Sequence, residues 1–466
     1  MLSSKLFLQI HFDTIPFVAE PNESGKRVGE GCKRGICLMK KRGGLFQLAA
    51  HETTVRKEVT AGLIGFFTIL YIVAVNSLIL SEAGVPFEGA VVATILTSFA
   101  GCLVVALWAN APLLLVPGMG INAMFTYTFV QSMGLTWQEA LGAVVVSGIL
   151  FIIVSVTRAA DQLNAAIPAS LKEAISVGIG FFLILLGLEK GGLVVQGEHT
   201  ILALGDLGDP SVLITILTLL VTFIVFLKGI PGSFLWSIVF GTLVTWAAGL
   251  LPEAETSSFD FSSYREVFFA FSLDGWLSVS FWSAVFSLTM VLIFENVGLI
   301  HSQTTMAGRP EKFKRSLQAQ AASTLASGIF GTSPTVSTAE SSAAIAAGGR
   351  TGLTSLTTGV LFLLSIFAIP YMKWIPDMAI APILIMIGSL MVQNIRQLDL
   401  HDWTEALPAI LIIVIIPFTY SIADGIAFGF ILYPLVKLFT GKWEELSKLL
   451  VLLSFLFLIN FFLHYM

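Results

Sequence analysis

Between Gly89 and Gln138 the chain runs for fifty residues without one Asp, Glu, Lys or Arg. A helix needs roughly 20 apolar residues to cross bilayer hydrocarbon, so this block holds more than one crossing. Its break falls around Asn110, Pro112 and Pro117-Gly118-Met119-Gly120, residues that interrupt helical hydrogen bonding or permit unusual backbone angles. Only 12% of the 466 residues are charged, against 56% hydrophobic. That is about half the charge of an average soluble protein, which excludes an ordinary soluble enzyme. The net charge is -5 and the basic residues are scattered between apolar blocks, so no surface tracks a phosphate backbone and nucleic acid is excluded as a partner.

The same reading places spans at 59–81, 89–108, 112–132, 138–157, 168–188, 211–228 and 231–249, then 276–297, 316–328, 329–347, 353–371, 376–394, 404–420 and 421–438. The stretch 447–464 is a further span or a helix lying at the interface. Short cytoplasmic loops accumulate Lys and Arg. The loop 306–315 carries Arg309, Lys312, Lys314 and Arg315 against Glu311, so it belongs inside. The loop 250–275 carries Glu253, Glu255, Asp260, Glu266 and Asp274 against Arg265, so it belongs outside. Residues 1–50 form a basic tail, with Lys26, Arg27, Lys33, Arg34, Lys40, Lys41 and Arg42 against Glu30 in its second half, which predicts a cytoplasmic N-terminus and a multi-pass protein of the cell (inner) membrane. Cys32, Cys37 and Cys102 lack metal-site spacing, and the six histidines show none either. No metal or other cofactor is expected.

A weak internal symmetry underlies the spans. The third segment breaks at Pro117-Gly118-Met119-Gly120, and seven segments later Ser327-Gly328-Ile329-Phe330-Gly331-Thr332-Ser333-Pro334 breaks in the same manner. Seven is odd, so the two halves would be inverted in the membrane, and broken segments at matching places point to a transporter binding site. Gly and Pro are also simply common in membrane helices.

Intramembrane carboxylates are expensive and therefore functional candidates. Glu295 ends the uncharged run Leu277–Phe294, and Glu340 ends Ser316–Ala339. Both are candidates for binding a substrate and for carrying a proton, with helix capping or a structural hydrogen bond as the plainer reading. Asn122 and Gly120 at the first break, and Gly331, Thr332 and Ser333 at the second, are candidate contacts for a polar ligand edge. Phe294 and Phe330 are candidate stacking platforms, although in a chain with 37 Phe a given ring is more often core or lipid-facing. His301 is placed on a proton path or in a loop at the cytoplasmic end. Asp424 reads as a structural or gating group. A nucleotide-binding loop is missing from the sequence, since Gly348-Gly349-Arg350-Thr351-Gly352 lacks the spacing. An ion gradient remains as the energy source, and the carboxylates favour protons.

Arg56–Asn76, Pro117–Ala123 (PGMGINA), Phe330–Thr354 (FGTSPTVSTAESSAAIAAGGRTGLT) and Ser421–Gly429 (SIADGIAFG) resemble the AzgA-like adenine/guanine/hypoxanthine permeases of the nucleobase/cation symporter group. The resemblance covers roughly residues 50 to 466. It implies an all-α polytopic membrane protein of fourteen segments in two inverted repeats of seven, with a short strand and a half-helix in segments 3 and 10. It also implies a core domain (51–157 and 276–371) and a gate domain (158–250 and 372–440), separated by the extracellular loop 251–275 and followed by a C-terminal hydrophobic helix, 441–466. Substrate would bind between segments 3 and 10, with carboxylates at Glu295 and Glu340, and the core would move elevator-like against the gate to import a purine base with a proton. Homodimerisation is common in that fold group, and lipid is the surrounding partner. The family's eighth segment usually reads Phe-Asp-Thr-x-Gly-Thr, whereas this chain has Phe294-Glu295-Asn296-Val297-Gly298-Leu299. The alternative within transport is an ion-coupled carrier of another planar heterocycle, such as uracil or xanthine, or of a small organic acid.

Overall fold

The computed structural model describes residues 45–157, 159–197, 199–251 and 262–465. Most of the basic tail, with Cys32 and Cys37, lies outside the described residues, as do Glu253, Glu255 and Asp260. The first crossing, Val55–Glu82, is a helix α1 (Val55–Ile69) continued by α2 (Tyr71–Glu82). Helix α3 (Phe87–Val104) ends in a π-helical turn, Val105–Ala109. Asn110 then takes a left-handed φ of 49° and the chain extends into β1 (Leu115–Pro117). A short α4 (Met119–Ala123) follows and continues as a π-helix over Met124–Ser132. Next come α5 (Trp137–Val156), α6 (Ala159–Ala166) and α7 (Ala169–Lys190), then a two-stranded hairpin of β2 (Val194–Val195) and β3 (Ala203–Leu204) that the sequence reading missed. Helices α8 (Pro210–Leu227) and α9 (Ser233–Ala247) complete the first half.

The second half opens with α10 (Ser262–Val267) and the long α11 (Val279–Met306), then α12 (Phe313–Phe330), strand β4 (Thr335–Ser337) and α13 (Ser341–Ala346). Helices α14 (Gly352–Leu364), α15 (Ile369–Met372), α16 (Asp377–Val392), α17 (Trp403–Thr419), α18 (Ile422–Phe439) and α19 (Lys448–Tyr465) close the chain. Among the described residues nine helices are long and apolar enough to cross a membrane, and three shorter apolar ones accompany them. The chain is a multi-pass membrane protein.

Two boundaries differ from expectation. The eighth segment does not stop at residue 297 but runs to Met306, since Gln303 and Thr304 beyond Gly298 are buried and hydrogen-bonded within the protein. The ninth does not stop at 328: Phe330 is its last residue, and Gly331 caps it at φ 88°, so the tenth segment begins as extended chain only beyond that cap.

The helices gather into two groups. Helix α5 packs on α11 and α12, α3 on α12 and α14, and α1 on α14; α7 packs along α16 and α17, and α8 on α9 and α16. Small residues set these distances: a Cβ on Gly148 of α5 would lie 2.7 Å from the Leu325 Cα of α12. Helix α8 is only 28% buried over its apolar window, against 78% for α11; its Leu213, Leu217, Leu220 and Ile224 are exposed, a lipid-facing surface.

Buried charge is satisfied at helix ends. Glu58, fully buried, accepts from Arg350 N (3.0 Å), Thr351 N (3.2 Å) and Thr354 Oγ1 (2.6 Å), so α1 holds the start of α14. Lys437 of α18 pairs with Glu405 of α17 at 2.6 Å and with Glu445 at 2.5 Å. Before α1, the Arg309 guanidinium donates to Ala50 O at 2.8 Å, and the Lys312 ammonium bonds Asn110 O and lies 3.4 Å from His51 Nε2. Burial, then Lys312 and Arg309, hold the His51 imidazole below its usual range against the opposing pull of Glu58 and Glu311. Burial likewise brings the Lys312 ammonium down to about 8.

A lowered folded-state value for His51 means that the unfolded chain binds the proton first as pH falls. Stability should therefore drop as pH falls from about 6.5 to the lowered value and level off below it. His51→Asn should flatten that limb of a thermal-unfolding profile in detergent, and an unchanged profile would refute the assignment.

Candidate functional site

The two breaks meet. Strands β1 and β4 pair antiparallel, with Leu115 opposite Ser337, Val116 opposite Val336 and Pro117 opposite Thr335, and all six residues are buried. Gly118 N donates to Pro334 O (3.3 Å) and Thr338 N to Leu114 O (3.4 Å), extending the ladder at both ends. Two strands alone leave open edges, which lipid cannot satisfy. Side chains from neighbouring helices fill them: Ser337 N donates to Asn296 Oδ1 of α11 (3.0 Å), while Thr335 O accepts from Thr324 Oγ1 (3.2 Å) and from Gln320 Nε2 of α12. Gln303 of α11 donates to Thr338 O (2.7 Å) and accepts from Ser337 Oγ (2.6 Å).

A second knot forms around Asn76 of α2, which is fully buried. Its Nδ2 donates to Thr94 Oγ1 (2.8 Å) and Thr332 Oγ1 (3.0 Å); its Oδ1 accepts from Asn122 Nδ2 (3.0 Å) and Ser333 Oγ (3.0 Å). One amide thus joins α2, α3, α4 and the approach to β4. Thr332 and Ser333, read from the sequence as ligand contacts, spend these hydrogen bonds on Asn76. Asn122 keeps a buried Oδ1 with no hydrogen-bond partner among the described residues. Gly120 sets the approach of α4 to α7, since a Cβ there would lie 2.8 Å from Ile179 Cγ2.

Glu340 stands between β4 and α13 as the residue preceding the half-helix. It is half-buried, and its Oε1 accepts from the Tyr71 hydroxyl at 2.7 Å. Glu295 is also half-buried, near the middle of α11. No hydrogen bond or ion pair engages its carboxylate among the described residues. The neighbouring Asn296 holds β4, so both carboxylates lie on elements that converge on that strand.

The other candidates are placed elsewhere. Phe294 is nearly buried and stacks on Phe430 of α18, with centroids 6.0 Å apart and planes 9° from parallel, so it serves helix packing. Phe330 tilts against Phe268, 6.1 Å away, and Gly331 is the α12 cap, packed on Val267. His301 lies within α11, not in a loop; it is exposed and edge-on to Phe313 at 5.6 Å. Asp424 is in the first turn of α18, where its N–H donates to Ser421 Oγ (3.2 Å). It lines a small crevice with Ser283, Ser287 and Asn460. The sequence reading did not single out Tyr71, Gln303 or Gln320, nor Asn76 by itself. The available signal was an uncharged polar group isolated in an apolar or small-residue run.

Residues 56–428 match the permease family Xan_ur_permease. The chain belongs to this family. It is therefore a membrane transport protein and not an enzyme. It is 50% identical to the nucleobase transporter PlAzg2 of Paenibacillus larvae over 82% of this chain and 77% of that protein. It is 37% identical to the guanine/hypoxanthine permease PbuO of Bacillus subtilis, covering 90% of this chain and all of that one. With the adenine permease AdeP of Escherichia coli it shares 35% identity, over 89% of this chain and 95% of that one. In fold it is similar to the transmembrane domain of a cyanobacterium bicarbonate transporter, BicA, with a TM-score of 0.61 at 16% identity, covering 79% of this chain and 96% of that one.

The asymmetry between two buried amides is testable. Asn76→Ala removes four hydrogen bonds and should cost about 3 kcal/mol, whereas Asn122→Ala removes one bond to Asn76 and should cost about 1 kcal/mol. Thermal unfolding of the purified permease in detergent checks the order, and equal losses would contradict the hub.

Proposed function

We propose that this permease imports a purine nucleobase, adenine, guanine or hypoxanthine, together with a proton. The observation that carries this reading is the pair of half-buried carboxylates beside β4: Glu340, held by one hydrogen bond, and Glu295, held by none. A purine presents N–H donors and ring-nitrogen acceptors on a planar edge, and a carboxylate accepts from the former. Glu340 would take the N–H edge of the base, Asn122 Oδ1 would accept from a second polar group, and Glu295 would carry the coupling proton. The names of the guanine/hypoxanthine and adenine permeases at 37% and 35% identity support a purine over other heterocycles.

The finer architecture belongs to the same proposal. Fourteen segments would form two inverted repeats of seven, with the β1 and β4 breaks at matching places. A core of 51–157 and 276–371 would move elevator-like against a gate of 158–250 and 372–440. Contacts that such a movement would exchange include the stack of Phe294 on Phe430, the Glu82–Lys190 ion pair, and Gly120 on Ile179. The excess of Lys and Arg in 306–315 supports a cytoplasmic N-terminus.

Uptake of radiolabelled adenine, guanine and hypoxanthine into cells lacking their own base carriers, with and without a protonophore, tests the reading. Glu340→Gln should lower uptake by roughly tenfold to a hundredfold with unchanged membrane abundance. Saturable uptake that survives the protonophore would exclude proton coupling, and normal uptake by the variant would remove Glu340 from the site.

A further inference from the structure

Glu340 sits where a strand gives way to a six-residue helix, so its backbone is fixed from both sides while its carboxyl could still rotate. The group that stops the rotation is Tyr71. The tyrosine is 3% exposed and its ring stands edge-on to Phe234 of α9, with centroids 5.1 Å apart and planes at 80°. Its hydroxyl therefore has one reach, and it donates to Glu340 Oε1 at 2.7 Å. A carboxylate is acceptor-only when ionised, so with Oε1 occupied by a fixed donor the second oxygen, Oε2, is left to meet a ligand N–H in a defined direction.

We propose that Tyr71 is a positioning residue for substrate recognition: its hydroxyl aims the Glu340 carboxylate so that Oε2 faces the N–H edge of a heterocyclic base. This rests on the reading of Glu340 as the base-binding group. The Tyr71 ring also ties the carboxylate to the other group of helices, because Phe234 belongs to α9, which packs with α8 and α16. The hydroxyl acts on α13 and the ring on α9, so one side chain touches both sides of the site.

Tyr71→Phe deletes one oxygen and keeps the ring against Phe234, so the folded state is retained. The uptake KM for the transported purine should rise about tenfold, with Vmax within about twofold of the wild type and abundance unchanged. A purely structural role would instead lower abundance or Vmax and spare KM, and either that pattern or unaltered kinetics overturns the proposal. An infrared measurement needs no substrate: the carboxylate stretching band assigned by its loss in Glu340→Gln should shift in Tyr71→Phe, and Tyr71→Phe in the Glu340→Gln background should produce no such change. Should the wild type move no purine, the reading of the substrate fails, and the infrared comparison alone decides Tyr71. A band that stays in place refutes the positioning role.

Discussion

The backbone of two short strands surrounded by membrane-crossing helices must be hydrogen-bonded by protein, and the rest of this structure is arranged around that requirement. In lipid an open strand edge costs several kcal/mol per unpaired group. Here each strand supplies one edge to the other, and the remaining edges of β4 are met by the amides of Asn296 and Gln320 and the hydroxyl of Thr324. The composition of α12, rich in Ser, Thr, Gln and Ala, follows from this duty: it stands beside β4 as a third strand would, donating from side chains instead of backbone. Leu114 N, beyond the other end of the ladder, finds Ser341 Oγ at 3.0 Å, so the half-helix α13 is tied back to β1.

This accounting divides the polar groups of the interior by role. Asn76, Gln303, Thr332 and Ser333 are engaged with each other or with backbone, and a buried network satisfied in this way holds its members rigidly; Gln320 joins it through Nε2, while its buried Oε1 has no hydrogen-bond partner among the described residues. Glu58 and Glu405 are engaged at helix ends. Glu295 and Glu340 are both half-buried, the first with no hydrogen-bond partner among the described residues and the second with a single one, as are Glu173 and Glu189 of α7; what sets the first two apart is their place on elements that meet β4.

Much of this was legible in the chain itself. The uncharged blocks located the nine long apolar helices of the described residues to within a few residues, apart from the end of α11, and the Pro-Gly run at 117–120 located the first break, because a helix interior rejects Pro and the short strand accepts it at its end. Glu340 stood out because it is a carboxylate at the end of an uncharged run of small residues, where charge is expensive. The partners of these groups were less visible. Thr332 and Ser333 look the same in sequence whether they face a ligand or Asn76, and Phe294 looks the same whether it stacks on a base or on Phe430. Asn296, which differs from the residue usual in the resembled family, proves to be the acceptor for Ser337 N. The end of α11 was misjudged for a related reason: polar residues after Gly298 suggest a loop, yet Gln303 and Thr304 are buried against the rest of the molecule.

What the sequence determined by itself was the solvent of the chain, the rough place of its long apolar blocks, the two breaks and the two carboxylates that end uncharged runs, since each depends on local composition and on the cost of placing charge or unpaired backbone in hydrocarbon. Only the tertiary structure decided that the breaks pair with one another, that Asn76 joins four elements, and that Tyr71 reaches Glu340 across 269 residues of chain. Those are long-range hydrogen bonds between uncharged or singly placed side chains, and their partners carry no periodicity or spacing that a linear reading can detect.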